Sequence, residues 1–271
     1  MTNKAFTRFA GAATIGMAMT MAANAATTAY TADDLFIGFT QVGNTSDYLV
    51  NIGQASNYTS LAPNTTITLS IGDTNTDLVA AFGGSYTTDS TVKWGAIGTT
   101  RLVTVGSDPA HTIYASKQGD ATTATPWNTG SSNTLSTGDA KISTMTSGYN
   151  GKTSTANSIV GLLQTNIGTA SNQAFASFQP GGANATGGSG GLSFGLFNPT
   201  ILAGGAGGIS SATSTLALYR LTPGAVAPSQ AIGTFSINSG GTVSFTSVPE
   251  PTSAALGLIG TVLLVVRRRR C

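Results

Sequence analysis

The side chains able to do chemistry in this chain are few, and their spacing excludes more than it offers. His111 is the only histidine and Cys271 the only cysteine, so a zinc or copper site lacks its usual ligands. Hard oxygen ligands for calcium are present. Asp73-Thr74-Asn75-Thr76-Asp77 has the alternating start of a calcium loop, but Leu78 stands where the sharp turn needs glycine and Gly84 where a bidentate glutamate belongs. Asp73, Asn75 and Asp77 are therefore weak calcium candidates in a polar turn, and no metal or cofactor is expected.

The nucleophile patterns are equally incomplete. Gly187-Gly188-Ser189-Gly190-Gly191 satisfies G-x-S-x-G inside a glycine tract, yet the histidine that should follow lies upstream. Ser90-Thr91-Val92-Lys93 matches Ser-x-x-Lys, but its companion Ser-Asp-Asn is missing and the segment reads as a strand. Gly148 to Thr153 ends in Gly-Lys-Thr, with Thr146 where a phosphate loop requires glycine. Asp33 and Asp34 form an acid pair at the start of an expected strand, where a solvated pair is the simpler reading. Trp94, Trp127, Tyr48, Tyr58, Tyr86 and Tyr114 could build a sugar-stacking platform, although core and cross-strand packing is the commoner use of such rings. No catalytic residue is assigned, and the chain is expected not to be an enzyme.

The elements that must position these residues are short apolar alternations in a body rich in Thr, Ser, Gly and Asn, a pattern of antiparallel strands and tight turns. Strands are predicted over Leu35 to Phe39, Tyr48 to Ile52, Thr66 to Ile71, Val92 to Ile97, Arg101 to Val105, His111 to Ser116, Leu192 to Phe197 and Thr215 to Leu221. A Gly43-Asn44 turn joins the first two. The body closes on a hairpin, Ile232 to Ile237 and Thr242 to Thr246 around Asn238-Ser239-Gly240-Gly241. Ser154 to Gln164 alone has helical spacing, through Ile159, Leu162 and Leu163. Pro180 to Gly191 and Ala203 to Ser211 are Gly/Ala/Ser tracts read as flexible surface loops. A single mainly-β domain follows, an antiparallel sandwich or barrel with one short helix, over residues 26 to 247.

Charge separates this body from the ends. The chain has 12 Lys and Arg against 10 Asp and Glu, but Lys4, Arg8 and Arg267, Arg268, Arg269 and Arg270 belong to the termini. Six basic and nine acidic groups remain in the body, a net charge of −3. With no basic run, there is no electrostatic footprint for nucleic acid.

Residues 1 to 25 follow the secretory pattern: Lys4 and Arg8, an apolar stretch from Phe9 to Ala23, then Ala23-Asn24-Ala25, with cleavage by signal peptidase expected before Ala26. At the other end, Val248-Pro249-Glu250-Pro251-Thr252-Ser253 leads into an apolar stretch from Ala254 to Val266, the four arginines and Cys271. As a helix that stretch covers roughly 20 Å against a hydrocarbon core of about 30 Å. Snorkelling arginine stems extend the span, and the cationic block sets it on the cytoplasmic side. A transmembrane helix is expected. Cys271 is either a lipidated juxtamembrane thiol or an unmodified last residue.

Pro249-Glu250-Pro251, an apolar helix and a terminal arginine cluster behind a signal peptide resemble the PEP-CTERM sorting signal of Gram-negative bacteria. The resemblance covers residues 248 to 271. It implies recognition by an exosortase, a membrane-embedded transpeptidase-like enzyme that cuts near the Pro-Glu-Pro and passes the body to the cell surface or exopolysaccharide. The expected protein is exported, resides transiently in the inner membrane, and has a structural or adhesive role. A secreted glycan- or calcium-binding module is the alternative, with extracellular polysaccharide as partner.

Overall fold

The computed structural model describes residues 30–41, 44, 46–69, 74–124, 126–127, 132–149, 158–163, 175, 208–210, 214–224 and 229–248. Nine strands form one antiparallel sheet: β1 (Asp34–Gln41), β2 (Ser46–Gln54), β3 (Thr66–Leu69), β4 (Val92–Thr99), β5 (Ile113–Gln118), β6 (Ser158–Leu163), β7 (Leu216–Leu221), β8 (Gln230–Ile237) and β9 (Val243–Ser247). Their order across the sheet is β3-β9-β8-β7-β5-β4-β1-β2-β6. Three helices accompany them: α1 (Ser56–Thr59), α2 (Thr74–Phe82) and α3 (Ser132–Tyr149).

Strand character follows the alternation of side chains. In β3, Ile67 and Leu69 are buried while Thr66 and Thr68 face water. The central strand β1 is buried along nearly its whole length, as expected of a strand covered on both faces. Leu35, Ile37 and Phe39 enter one core and Phe36 the other. Gly38 lies under the Phe175 ring, which would collide with any Cβ at that position.

The sandwich or barrel expected from the sequence is replaced by a single open sheet that curls. Its ends, β3 and β6, are not paired with each other. Tyr58 of α1 shows the curl: its hydroxyl donates to the Ile52 carbonyl of β2 (2.8 Å), while its ring packs on Phe235 and Phe245 of β8 and β9. Strands far apart in the sheet thus share one aromatic core with α1 and α2, and no second sheet is needed to cover it. On the opposite face, Leu135, Ile142 and Met145 of α3 pack with Phe36, Ile97, Ala115 and Tyr219.

Several expectations need correction. Residues 158–163 of the anticipated helix form β6, paired with β2. Arg101 to Val105 is a turn and not a strand, because Arg101 adopts φ 56° and His111 φ 66°, left-handed conformations that break a ladder. Among the described residues there are three helices where one was expected, and none of them lies in the expected segment. Gly208–Ser210 does not behave as a surface loop: Ile209 is buried, the Ser210 N–H donates to the Thr87 carbonyl (3.0 Å), and Gly208 at φ 70° lies against Thr87 and Thr88. The strand expected at Leu192 to Phe197 and the tract Pro180 to Gly191 fall outside the described residues.

Among the described residues no helix is long and apolar enough to cross a membrane. The signal segment and the C-terminal apolar stretch lie outside them.

Candidate functional site

The structure places most of the sequence-derived candidates inside the fold. Asn75 and Asp77 lie in the first turn of α2, so the anticipated polar turn and calcium loop are replaced by helix; Asp73 is outside the described residues. Asp77 Oδ2 accepts the Tyr48 hydroxyl (3.0 Å). Among the described residues no group of three or more acidic, His or Cys side chains is arranged to hold a metal. Ser90 and Lys93 sit at the exposed start of β4, where Lys93 Nζ donates to the Ser90 carbonyl (3.0 Å). The aromatic platform is also ruled out: Trp94, Trp127, Tyr48, Tyr58, Tyr86 and Tyr114 are all buried. Trp94 Nε1 donates to the Ser214 carbonyl (2.9 Å), and Lys117 Nζ lies 4.6 Å from the Trp127 ring centroid.

Asp33 and Asp34 are buried and not solvated. Asp34 is fully engaged, accepting from the Thr31 N–H (2.8 Å), Asn51 Nδ2 (2.9 Å) and Gln54 Nε2. Asp33 belongs to a second group with Asp108, Tyr114 and Arg220. Arg220 Nη1 donates to Asp108 Oδ1 (3.1 Å), its Nη2 to Gln230 Oε1 (2.6 Å), and the Tyr114 hydroxyl donates to Asp108 Oδ2. Asp33 Oδ1 has no hydrogen-bond partner. Burial, followed by the charges of Asp108 and Asp34, pushes the Asp33 carboxyl up to about 7. Asp33, Asp108 and Tyr114 are buried in this cluster, Arg220 lies 24% exposed at its edge, and together they hold α1, β1, β5 and β7.

The open constellation is one that sequence reading missed. Between the β4–β5 turn and α3 lies a cleft of about 300 Å³, lined by Arg101, Leu102 and His111 on one side and by Ser136, Asp139, Ala140, Ser143, Thr144 and Ser147 on the other. Asp139 is buried, and its Oδ2 accepts from His111 Nδ1 (2.7 Å) while its Oδ1 accepts the Thr99 hydroxyl (2.9 Å). With Nδ1 so committed, Nε2 is the free ring nitrogen. Thr99 Oγ1 also accepts the Arg101 N–H (3.1 Å), and the Arg101 carbonyl accepts the His111 N–H (2.6 Å). A closed circuit of hydrogen bonds therefore runs Arg101, Thr99, Asp139, His111 and back. It fixes two residues in left-handed conformations. The available signal was a lone His beside an Arg at the two ends of one short turn, but Asp139 comes from a helix that the sequence did not announce.

Pro249, Glu250 and Pro251, the arginines Arg267 to Arg270, and Ala23, Ala25 and Ala26 lie outside the described residues. What the structure does show is where the tail leaves the body. Ser247 ends β9, its N–H donating to the Thr65 carbonyl (2.9 Å) and its hydroxyl to the Ala62 carbonyl (2.6 Å), and the Val248 N–H still donates to the Ile232 carbonyl (3.1 Å). The family model of the PEP-CTERM protein-sorting motif matches residues 247–270. The chain carries that sorting motif, which implies export, recognition by an exosortase and membrane-anchored sorting. No curated protein and no solved structure matches the chain.

Proposed function

We propose that this chain is a non-enzymatic exported protein whose curled β body is delivered to the cell surface or extracellular matrix, where it has a structural or adhesive role. The observation that carries the reading is the sorting motif at residues 247–270, which begins on the last residue of β9. In this reading signal peptidase removes residues 1 to 25 before Ala26, the apolar stretch and Arg267 to Arg270 hold the chain transiently in the inner membrane, and an exosortase cuts near Pro249-Glu250-Pro251. Support for a structural body comes from where its polar chemistry goes. Asp34, Asp108 and Asp139 each bind side chains of other elements, and the large rings fill cores.

The test is the intact mass and both termini of the protein recovered from its native cells after separating membrane, surface and medium. A start at Ala26 and an end near Pro249 or Glu250, in the surface or medium fraction, is expected. Persistence of Arg267 to Cys271 in the membrane fraction would overturn the reading in favour of a permanent anchor.

A further inference from the structure

We propose that the cleft between the β4–β5 turn and α3 binds a sugar acid, a small polyhydroxylated carboxylate such as a uronate unit. It deepens the reading of a cell-surface or matrix protein, and rests on that reading only for where the ligand would be encountered.

The charge requirement comes from Arg101. Among the described residues the other cationic side chains have partners: Lys93 on the Ser90 carbonyl, Lys117 over Trp127, Arg220 on Asp108, and Lys141 with an interaction of its own. The Arg101 guanidinium, exposed at the cleft, has no hydrogen-bond or ion-pair partner among the described residues, and its charge reaches the Tyr30 hydroxyl. Its planar fork matches a carboxylate in two parallel hydrogen bonds. The hydrogen-bond circuit through Thr99, Asp139 and His111 fixes the backbone that carries it, so the ligand has only the Arg101 side chain to order. The Asp139 carboxylate is only 4% exposed and is turned to His111 and Thr99, so Arg101 is the charge that the cleft presents openly, although Asp139 offsets part of its pull on an anion.

The hydroxyl requirement comes from α3. Ser143 Oγ donates to Asp139 Oδ1 (3.5 Å), Thr144 Oγ1 to the Ala140 carbonyl (3.0 Å) and Ser147 Oγ to the Ser143 carbonyl (2.8 Å). Each hydroxyl proton is thereby committed and each oxygen keeps lone pairs for an incoming donor. Along one helix face these oxygens form a row of acceptors that suits ligand hydroxyls better than a bare oxyanion. Ala140 leaves the floor open, and Leu102, 73% exposed, offers an apolar wall for a sugar ring's C–H face. The volume, about 300 Å³, suits one monosaccharide unit at the small end of ligand sites.

The experiment is calorimetric titration of the purified full chain in detergent with glucuronate, glucose and inorganic phosphate, repeated on Arg101→Gln and Ala140→Leu. Saturable glucuronate binding is expected, with phosphate at least tenfold weaker and glucose showing no saturation. Arg101→Gln should weaken glucuronate at least tenfold with an unchanged unfolding transition, and Ala140→Leu should block it. The assignment fails if glucuronate does not saturate the wild-type chain, if glucose or phosphate binds equally well, or if Arg101→Gln binds as wild type. None of these outcomes alters the terminal masses that test sorting, so the two readings fail separately.

Discussion

Two aspartate networks radiate from the same β4–β5 turn and end in opposite conditions. Asp108 turns toward the aromatic core, where Tyr114 and Arg220 close over it. His111, three residues on, turns to the other face, where Asp139 and Thr99 hold it at the wall of an open cleft. Residue types differ little between the two, since each pairs a carboxylate with a basic side chain and a hydroxyl. What separates them is what lies beside each pair, since the basic groups are almost equally exposed, 24% for Arg220 and 27% for His111. Packed against the aromatic core, an ion pair contributes stability; beside an open cleft, the same chemistry leaves a cation and a ring nitrogen available to a ligand.

The contrast is broken most severely at Arg220. Arg220→Ala leaves Asp108 charged and unpaired inside the fold, and urea unfolding should show a loss of about 3–5 kcal/mol. On the open side, Thr99→Val keeps the side-chain shape but removes the hydroxyl that serves both Asp139 and the Arg101 N–H. A loss of about 1–3 kcal/mol by the same measurement is expected.

The smallest effect sharpens the comparison through pH. Because the Asp33 carboxyl is raised to about 7 in the folded chain, mainly by burial, the folded state holds a proton that the unfolded chain releases near pH 4. The stability from that proton is complete below about pH 4 and is lost as pH rises through about 7. Asp33→Asn cannot ionise, and Asn tolerates the φ of 78° found there. At pH 8 the variant should be more stable than wild type by about 1–2 kcal/mol, below the ~4 kcal/mol of the full rise because solvent reaching Arg220 screens the network, and should converge with it near pH 4. A wild-type stability that is flat between pH 4 and 8 would mean that this network is wetter than its burial indicates.

Much of the sheet was legible because its strands alternate. Leu35 to Phe39, Tyr48 to Ile52, Thr66 to Leu69 and the closing hairpin around Asn238 to Gly241 read directly as strands. The helices were not legible. In α3 the buried positions Leu135, Gly138, Asp139, Ile142, Ser143, Met145 and Thr146 follow a helical period, but only three of them are large and apolar, so the period is invisible to a hydrophobicity reading. Conversely, Ile159, Leu162 and Leu163 have helical spacing yet lie in β6, where pairing with β2 overrides the local pattern. The closed network was hidden because Asp33 and Asp34 look like a polar strand entry. The open one required Asp139 to be brought to His111 by a helix with almost no apolar signature. The sorting tail was legible in full because it is read as linear chemistry and needs no fold.

The junction at Val248 also determines how the body bears tension. The tail departs from β9, which is not an edge strand but is bonded on one side to β3 and on the other to β8. A pull on the tail is therefore shared by two ladders, from Thr66 opposite Thr246 on one flank and Gly233 opposite Ser247 on the other. Ser247 and Val248 are both hydrogen-bonded to the body, so the last described residues pass a pull straight to those bonds. A load applied to the end of β9 therefore meets a strand clamped on both sides.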